Sequence, residues 1–579
     1  MVDIQWLIGG EAGYGIMTTG VMMAKIFTRL GMSVFDYVEY PSLIRGGHNA
    51  YYVRACDAEI FSQKRPVDIL VALNRETIDR HKSELSQNAA VIYDSNITKA
   101  EGSEFSPNIN LIPIPLLELT KQTGADKLMI NTVAVGASLG LFYSDFSVLE
   151  KIMTDAFGRK GEKVVLENVN TSKAGFDYVQ KNFPKKSPFA FQKKEQENLL
   201  ISGAEAVSFG AIKAGLKFAA IYPMTPINAI LATLVQNALK YNIVVKEPED
   251  EIAGINMAIG ASFAGARSMV ATSGGGFALM VEGLGLAAQT ETPLVVVEGQ
   301  RPGPATGLPT WTDQGDLNFV LHAAHGDFPR IVVAPGDPLE AFEQTMQAFN
   351  LAEKYQLQVI VLVDKYLMEG HTTVQSSKFK VQSESFKIER GKILSDQEVQ
   401  NVTAYKRYEL VEDGVSARSL PGQKGGIALN GSDEHDEFGH YNETSENRVK
   451  MMDKRFKKLE GALVDIPSPD FFGEKDALLT ILSFGSTKMP VLEAINWLKK
   501  DGINVNFLKA SYVSPFPKEI VASAIKSAKK TLVVENNKTG QFERLIKEQT
   551  GLSVDNHFRK YDGRPFYPEE IVEKVKAII

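Results

Sequence analysis

The chain has 579 residues, of which 44% are hydrophobic and 23% are charged, an ordinary balance for a globular protein. This length predicts about three or four domains. The formal net charge of −7 gives no reason to expect nucleic acid or an anionic membrane as a partner. The single cysteine, Cys56, excludes an internal disulfide and an iron–sulfur cluster held by cysteines of this chain alone. We interpret Cys56 as a small apolar filler.

The first residues lack the basic region and the apolar run of a signal peptide, and they predict a strand instead. The most apolar region, residues 252–297, is interrupted by Arg267, Glu282 and Glu291. Such a region predicts a buried core and not a membrane span. We therefore expect a soluble, cytoplasmic protein that binds neither nucleic acid nor a membrane.

Residues 1–183 predict a first α/β domain. A strand at 3–7 leads into the glycine turn at 9–15 and an amphipathic helix, and the predicted strands after them are 33–37, 68–73, 90–93 and 110–114.

The glycine turn, with Asp36 about twenty residues further on, matches part of a dinucleotide-binding fingerprint. Thr18 stands where the third glycine belongs, so the fingerprint is incomplete. We interpret the segment as a tight turn that lets strand and helix pack closely. A nicotinamide-dependent dehydrogenase is the alternative.

A basic, proline-containing linker at 184–197 precedes a second α/β domain at 198–375. In an open parallel sheet, ligands bind at the carboxyl ends of the strands. Four polar or glycine-rich segments follow predicted strands in this domain and mark that edge: 222–226 (Tyr-Pro-Met-Thr-Pro), 246–254 (Lys-Glu-Pro-Glu-Asp-Glu-Ile-Ala-Gly), 272–277 (Thr-Ser-Gly-Gly-Gly-Phe) and 297–304 (Val-Glu-Gly-Gln-Arg-Pro-Gly-Pro).

Residues 376–476 are polar, with scattered aromatic side chains, and they predict an extended arm that becomes ordered against other chains. Within this arm Asp433, His435 and Asp436 could bind a metal, but carboxylates around one histidine are more typical of a solvated turn. We predict no metal site in this chain.

Residues 477–579 predict a last α/β domain. Its predicted helix, 491–499, ends at a C-cap formed by Asp501 and Gly502. Its predicted strands are 479–484, 505–508 and 531–535.

These motifs, in this order, resemble the alpha subunit of 2-oxoacid:ferredoxin oxidoreductases, thiamine diphosphate enzymes that decarboxylate 2-oxoacids onto coenzyme A. Residues 1–183, including Ser42-Leu43-Ile44-Arg45-Gly46-Gly47-His48-Asn49, resemble the gamma subunit of the same enzymes, fused ahead of alpha. Residues 477–579 resemble the transketolase C-terminal domain. The implied fold class is α/β with three domains (gamma-type, pyrimidine-binding and transketolase C-terminal-like) and a long extended arm between the last two.

Within the gamma-like part, the resemblance implies a structural role that helps to shape the coenzyme A site. His48 is interpreted as a hydrogen-bonding loop residue and not as a catalyst.

In this family the activating glutamate stands directly before an Ala/Gly-rich helix, and here Glu251 precedes such a helix at 252–264. A carboxylate hydrogen-bonded to the pyrimidine ring of the cofactor favours the cofactor's reactive tautomer. From the residues alone, Glu249 and Asp250 are equal candidates, because the first turn of any helix favours acids. The resemblance selects Glu251.

The resemblance also implies that Thr225 approaches the substrate carboxylate and the cofactor. Arg301 offers a planar fork that matches a carboxylate, which every 2-oxoacid carries. Glycines at a helix N-terminus allow the backbone to approach a ligand closely. The predicted catalytic residues are Glu251, Thr225 and Arg301, and the predicted cofactor-binding residues are Tyr222, Pro223, Thr225, Glu251, Ser273, Gly274 and Gly275.

The chain contains no Gly-Asp-Gly motif, which many thiamine diphosphate enzymes use to bind Mg²⁺ and the diphosphate. It therefore resembles the pyrimidine half of a split site. The resemblance implies a beta subunit that brings the diphosphate, Mg²⁺ and a [4Fe–4S] cluster, a dimer of alpha–beta pairs, and ferredoxin as electron acceptor.

The fused gamma–alpha organisation resembles enzymes acting on 2-oxoglutarate, in the oxidative or the carboxylating direction. Pyruvate and branched-chain 2-oxoacids are the alternative substrates. A non-catalytic scaffold subunit is the alternative from another class, and the joint presence of Glu251, Thr225 and Arg301 argues against it.

Overall fold

A computed structural model describes residues 2–43, 46–184, 197–474 and 476–579. The chain forms two compact units, treated separately below. Unit 1 comprises Met1–Ile201, Gly370–Lys378 and Tyr567–Glu573, and unit 2 comprises Ser202–Glu369, Phe379–Phe566 and Lys574–Ile579. Most of the predicted linker at 184–197 lies outside the described residues. The boundaries of the three predicted domains stay a prediction.

The elements up to residue 202 are the strands β1 (Asp3–Ala12), β2 (Ser33–Glu39), β3 (Gly46–Cys56), β4 (Val67–Ala72), β5 (Leu85–Asp94), β6 (Asn110–Ile114) and β7 (Asn198–Ser202), and the helices α1 (Ile16–Arg29), α2 (Arg75–His81), α3 (Leu116–Gln122), α4 (Ile130–Phe142), α5 (Ser147–Phe157) and α6 (Glu162–Asn182).

The elements from 203 to 375 are the strands β8 (Phe218–Ala220), β9 (Val244–Lys246), β10 (Ser268–Ser273), β11 (Leu294–Gln300), β12 (Arg330–Val333), β13 (Gln358–Asp364) and β14 (His371–Gln375), and the helices α7 (Gly203–Lys213), α8 (Asn228–Tyr241), α9 (Glu251–Phe263), α10 (Gly274–Gln289), α11 (Leu317–His322), α12 (Pro338–Tyr355) and α13 (Lys365–Glu369).

The remaining elements are the strands β15 (Asp470–Phe472), β16 (Leu479–Phe484), β17 (Val505–Ala510), β18 (Tyr512–Ser514), β19 (Thr531–Glu535) and β20 (Asn556–Arg559), and the helices α14 (Ser376–Ser385), α15 (Asp396–Asn401), α16 (Ser445–Asp465), α17 (Lys488–Lys500), α18 (Lys518–Ser527), α19 (Gln541–Thr550) and α20 (Pro568–Ile578).

Unit 1 is built on an eight-stranded sheet in the order β6-β5-β4-β1-β3-β2-β14-β7. Strands β1, β4, β5 and β6 are parallel. The long strand β3 runs antiparallel to both β1 and β2. Apolar side chains of the strands and of α1, α4 and α5 form one core. The sheet is therefore mixed, and its antiparallel part was not predicted.

Strand β3 corrects the interpretation of residues 42–49 as a loop. Of that segment Ile44 and Arg45 lie outside the described residues, whereas the strand begins at Gly46. His48 is accordingly a strand residue, and its Nε2 lies 2.8 Å from Nε2 of His81. Its predicted role in hydrogen bonding fits this contact. Burial, followed by the charge of His81, lowers the pKa of His48 to about 4, so the ring is neutral at pH 7.

The glycine turn is shorter than predicted, because β1 continues through Gly9 and Gly10 to Ala12. Only Gly13 and Gly15 have the positive φ angles, 101° and 66°, that a turn before α1 requires. Asp36 is buried on β2, where its carboxylate accepts a hydrogen bond of 2.7 Å from the backbone N–H of His371. Oδ1 of the acid that a dinucleotide ribose would need is therefore engaged within unit 1.

Unit 2 contains two sheets with a common core. The first has the order β18-β12-β13-β11-β10-β8-β9, parallel except at β18, and the second has the order β15-β17-β16-β19-β20, parallel except at β15. Val270 and Val296 of the first sheet belong to the same hydrophobic cluster as Leu482 and Leu508 of the second. Within the parts of the chain that the structure describes, none of the helices has the length and hydropathy of a bilayer span.

The arm at 376–476 differs from the prediction in one respect. It contains the 21-residue helix α16, and this helix is ordered against the chain's own residues. Lys454 and Lys458 of α16 form buried ion pairs with Glu291, the first at 2.7 Å. Burial alone would raise the pKa of Glu291, but the charges of the two lysines and of Arg407 hold it below its usual range.

The arm residues considered for a metal do not form a metal site. His435 is buried with its ring 3.9 Å from the ring of Tyr408. Its Nδ1 and Nε2 lie 2.9 and 3.2 Å from the backbone oxygens of Asp436 and Gln289. Across the described ranges no group of three or more His, Cys, Asp and Glu side chains is arranged to hold a metal ion.

We predict that Glu291→Gln destabilises the protein by about 3–5 kcal/mol, because two buried ammonium groups lose their shared counter-charge. Urea titration followed by fluorescence measures the change. The matched control is Glu446→Gln, which breaks the exposed Lys450–Glu446 pair of the same helix and should leave the stability almost unchanged, because water screens an exposed pair. Equal losses of stability in the two variants would contradict the assignment of Glu291 as the buried counter-charge that holds α16 in place.

Candidate active site

Four neighbouring parallel strands, in the order β11-β10-β8-β9, end at one edge of the seven-stranded sheet. Their carboxyl ends lead directly into the segments that the sequence singled out. β8 is followed by 221–227, β9 by 247–251, β10 by the first turn of α10, and β11 by Arg301. Because β11 extends to Gln300, three residues beyond the predicted strand end, Arg301 is the first residue after the sheet.

The three acids at the start of α9 have different surroundings. Glu249 is exposed. Asp250 is the N-cap, and its Oδ1 accepts a hydrogen bond of 2.8 Å from the backbone N–H of Ala253. Glu251 is only 3% exposed, and its Oε1 is buried without a hydrogen-bond partner among the described residues. A buried acceptor of this kind is costly unless something donates to it. Of these three acids, Glu251 is thus the buried one whose carboxylate has an oxygen without a partner among the described residues.

Gly276, in the first turn of α10, gives the Glu251 carboxylate its space. A Cβ atom at this position would overlap with Glu251 Oε1 and with Thr272 Oγ1. The next glycine, Gly275, is exposed, and a Cβ there would meet no atom within 4 Å. The two glycines therefore have different surroundings. The sequence placed both in the segment 273–276 whose backbone can approach a ligand, but it did not predict the contact of Gly276 with Glu251.

Ser273 and Gly274 lie where β10 becomes α10. Ser273 is the N-cap residue, but its Oγ makes no cap hydrogen bond and is buried without a partner in the described part of the chain. Gly274 lies against Asp316, since an added Cβ would be 2.6 Å from Asp316 Oδ2. The backbone of this turn therefore lies beside two polar groups, the hydroxyl of Ser273 and the carboxyl of Asp316.

The structure brings Arg301 and Thr225 together. Arg301 Nη1 donates a hydrogen bond of 2.9 Å to the backbone oxygen of Thr225, and both residues are partly buried. Tyr222 and Pro223 are exposed, so they lie at the rim of the site.

A group of acids that the sequence did not predict surrounds Arg301. Burial raises the pKa of Glu298 well above its usual range, and the nearby charge of Asp316 adds to this effect. Burial also raises the pKa of Asp316 to about 6, although Glu298 and Arg301 oppose it. Asp313 is raised to a pKa of about 7, by burial and then by the charge of Asp316. Asp316 and Glu298 are the two acids of this group whose charges act on Arg301.

One signal for this group was present in the sequence. Glu298 is a charged residue inside the apolar run of β11, where the other side chains are buried and uncharged. Asp313 and Asp316 lie in an irregular segment between β11 and α11, and nothing in the local sequence shows that the segment folds back onto Arg301.

The site therefore offers a buried carboxylate oxygen to a protonated ring nitrogen, a guanidinium to an anion, and glycine backbone to a flat ring. Thiamine diphosphate presents a ring nitrogen to a carboxylate in this way, so the residues fit the pyrimidine end of that cofactor.

Comparisons with known proteins place this α/β chain among oxidoreductase subunits. The family model described as "Pyruvate flavodoxin/ferredoxin oxidoreductase, thiamine diP-bdg" matches residues 209–454. "Pyruvate ferredoxin/flavodoxin oxidoreductase" matches 5–178, and "Pyruvate:ferredoxin oxidoreductase core domain II" matches 477–571. The thiamine diphosphate-binding domain is therefore present.

Individual relatives indicate more closely which class of oxidoreductase subunit the chain resembles. The 2-oxoacid:ferredoxin oxidoreductase subunit alpha of Saccharolobus solfataricus is 34% identical, over 100% of this chain and 98% of that protein. The 2-oxoglutarate synthase subunit KorA of Methanothermobacter thermautotrophicus is 33% identical, over 66% of this chain and 98% of its own length. A solved 2-oxoglutarate:ferredoxin oxidoreductase from Magnetococcus marinus, with 2-oxoglutarate, coenzyme A and succinyl-CoA bound, matches with a TM-score of 0.91 at 33% identity and covers 100% of this chain and 99% of its own.

The chain belongs to the family of 2-oxoacid:ferredoxin oxidoreductase alpha subunits, oxidoreductases that act on the oxo group of 2-oxoacids with an iron–sulfur acceptor. The family and the multi-domain α/β fold class are confirmed. No comparison tests the roles of individual residues, which stay predictions.

We predict that Gly276→Ala loses about 10²-fold in turnover while Gly275→Ala stays near wild type. The added methyl group at 276 must displace the Glu251 carboxylate, and displacements of about 1 Å in a catalytic site cost on this order. Steady-state ferredoxin reduction by the assembled enzyme measures both variants, and circular dichroism checks the fold. Equal activities would show that the carboxylate can move without consequence.

Proposed function

We propose that this chain is the pyrimidine-binding half of the thiamine diphosphate site in a 2-oxoglutarate:ferredoxin oxidoreductase. The reaction converts 2-oxoglutarate and coenzyme A to succinyl-CoA and CO₂, with two electrons passing to oxidised ferredoxin; the same site can run the reverse carboxylation. The observation that carries the proposal is Glu251 Oε1, buried opposite Gly276 and unpartnered within the described ranges.

The choice of 2-oxoglutarate rests on relatives that are named for it. These are the KorA subunits and the Magnetococcus marinus enzyme, whose structure contains 2-oxoglutarate and succinyl-CoA. The relatives that match the full chain at 34% identity are named for 2-oxoacids in general. Pyruvate and branched-chain 2-oxoacids are therefore the second candidate substrates.

When bound, thiamine diphosphate supplies the electron sink for loss of CO₂ from the 2-oxoacid. The Glu251 carboxylate would accept a hydrogen bond at Oε1 from the pyrimidine ring and so hold a proton on that ring. Ser273, Gly274 and Gly275 would line the ring with backbone and one hydroxyl, and Tyr222 and Pro223 would form the rim.

On the substrate side we assign the 2-oxoacid's carboxylate to Arg301 and Thr225. Thr225 orients Arg301 through its backbone oxygen, so the Thr225 hydroxyl is free to approach the substrate. Burial lowers the pKa of the Arg301 guanidinium, and the charges of Asp316 and Glu298 oppose this effect.

We further propose that a beta subunit supplies the rest of the site: the diphosphate contacts, Mg²⁺ and a [4Fe–4S] cluster that passes electrons to ferredoxin. The chain lacks Gly-Asp-Gly and has one cysteine, which is buried. The assembly is a dimer of alpha–beta pairs.

The test is ferredoxin reduction by the reconstituted alpha–beta complex with coenzyme A and a panel of 2-oxoacids. We expect the highest kcat/KM with 2-oxoglutarate. The purified alpha chain alone should show no iron–sulfur absorbance and no turnover. Preference for pyruvate would select the second candidate, and iron–sulfur absorbance in the lone chain would refute the division of the site.

We predict that Glu251→Gln keeps the fold and the cofactor content but loses about 10²–10⁴-fold in turnover, because an amide cannot hold the ring's proton as a carboxylate does. Glu249→Gln is the matched control: the same change two residues away, at an exposed position. Ferredoxin reduction measures both. A near-normal Glu251→Gln beside an inactive Glu249→Gln would reassign the activating residue.

We predict that Arg301→Lys lowers kcat/KM by about 30- to 700-fold, because lysine keeps the charge but loses the planar fork. Thr225→Val should cost less, since it removes one neutral hydroxyl and retains the backbone oxygen that accepts from Arg301. Every 2-oxoacid carries the same carboxylate, so the losses should be similar for 2-oxoglutarate and for pyruvate. A loss confined to 2-oxoglutarate would mean that Arg301 contacts the distal carboxylate instead.

A further inference from the structure

The carboxyl ends of β16 and β19, in the second sheet of unit 2, contact a segment of the chain itself. In an open parallel sheet this edge is where ligands bind. Here the edge is in contact with residues 314–315, which belong to the irregular segment between β11 and α11. The second sheet thus holds a connecting segment of the first sheet at the place where other parallel sheets bind a ligand.

Gln314 contacts the ends of three strands, and it is only 1% exposed. Its Oε1 accepts hydrogen bonds from Thr487 Oγ1 at 2.9 Å and from the backbone N–H of Asn536, next to β19, at 3.0 Å. Its own backbone N–H donates to the oxygen of Asn536 at 2.7 Å. Its Nε2 lies 3.3 Å from the backbone oxygen of Phe484 in β16 and 3.4 Å from Asp364 Oδ2 in β13. An amide whose donor and acceptor are both used is fixed in one orientation.

Gln541, the first residue of α19, holds the same segment on both sides of Asp316. Its Nε2 donates a hydrogen bond of 2.5 Å to the backbone oxygen of Gly315. Its Oε1 accepts a hydrogen bond of 2.7 Å from the backbone N–H of Asn318. The main chain that carries Asp316 is therefore tied to the second sheet before and after this residue.

Asp316 itself touches the candidate active site. Its backbone N–H donates a hydrogen bond of 3.1 Å to Oε1 of Gln300, the residue before Arg301. Its Oδ2 is packed against Gly274, where an added Cβ would lie 2.6 Å away. Its charge acts on Arg301. Asp316 therefore lies where the first turn of α10 meets the end of β11, and both of these elements carry predicted site residues.

We propose that Gln314 and Gln541 are positioning residues of the active site, which act by holding Asp316 in place. The inference rests on the proposed function, in which Arg301 binds the carboxylate of the 2-oxoacid. It gives the second sheet a part in the reaction, because the ends of its strands fix an acid whose charge acts on that arginine. If the two glutamines only packed the sheets together, their loss would not act through Asp316.

Hydrogen exchange of the full-length chain, followed by mass spectrometry, tests the positioning without any turnover. Gln541 is partly exposed, so Gln541→Ala should fold. We expect the amide of Asp316 to exchange at least about 10-fold faster in this variant, although its own acceptor on Gln300 is unchanged. Gln549→Ala makes the same change at an exposed position of the same helix and should leave this exchange rate as in the wild type.

Steady-state kinetics of the assembled enzyme test the effect on the reaction. Gln314→Ala and Gln541→Ala should lower kcat/KM for the 2-oxoacid by about 10- to 100-fold, the scale of a small displacement in a catalytic site. The loss in kcat/KM for coenzyme A should be smaller, whereas a merely structural defect reduces the active fraction and lowers both values equally. In an Asp316→Asn background, Gln541→Ala should cost less than about 3-fold more, because the carboxylate that it positions is already absent.

The proposal is overturned if the Asp316 amide of Gln541→Ala exchanges at the wild-type rate. It is overturned equally if both kcat/KM values fall by the same factor, or if the losses of Gln541→Ala and Asp316→Asn multiply in the double variant. Should the buried Gln314→Ala fail to fold, Gln541→Ala alone decides the question. Absence of turnover with every 2-oxoacid would refute the proposed function instead, and the exchange rates would still show whether Gln541 positions Asp316.

Discussion

The buried carboxylate of Glu291 holds together parts of the molecule that are far apart in sequence. It lies in the turn between α10, which begins at the glycines of the candidate site, and β11, which ends beside Arg301. Lys454 and Lys458 reach this turn from α16, more than 160 residues later. The turn that links two elements of the site is thus also the point where the arm is attached. The ion pairs offset the cost of burying the three charges only while all three groups are present.

The sequence allowed the strands of the sheets to be predicted where their apolar runs are continuous. The strands 479–484 and 531–535 have the predicted bounds, and every residue in them is buried. The edge strand 110–114 also has the predicted bounds, although only Ile112 and Ile114 are buried in it. Helix α16 could not be predicted from apolar periodicity, because its buried face includes Lys454, Arg455 and Lys458. Charged side chains at helical spacing look like a solvent-exposed face until their counter-charges are located elsewhere in the chain.

In the candidate site, too, the surroundings of single residues could be predicted only in part from the sequence. The motifs located the edge of the sheet correctly, because the ends of parallel strands must meet there. They could not separate Glu249, Asp250 and Glu251 without the family resemblance, since what distinguishes these acids is a capping bond for one and burial for another. Asp316 reaches Arg301 through an irregular segment whose path depends on tertiary packing.

The hydrogen bond from Arg301 to the backbone oxygen of Thr225 has a consequence for how this enzyme can diverge. The acceptor belongs to the main chain, so any amino acid compatible with the local backbone can present it. Replacing the side chain at position 225 therefore leaves the acceptor of the guanidinium in place. The orientation of Arg301 depends instead on the path of the main chain between the prolines at 223 and 226, so a change of backbone there should disturb the guanidinium more than a change of side chain at 225.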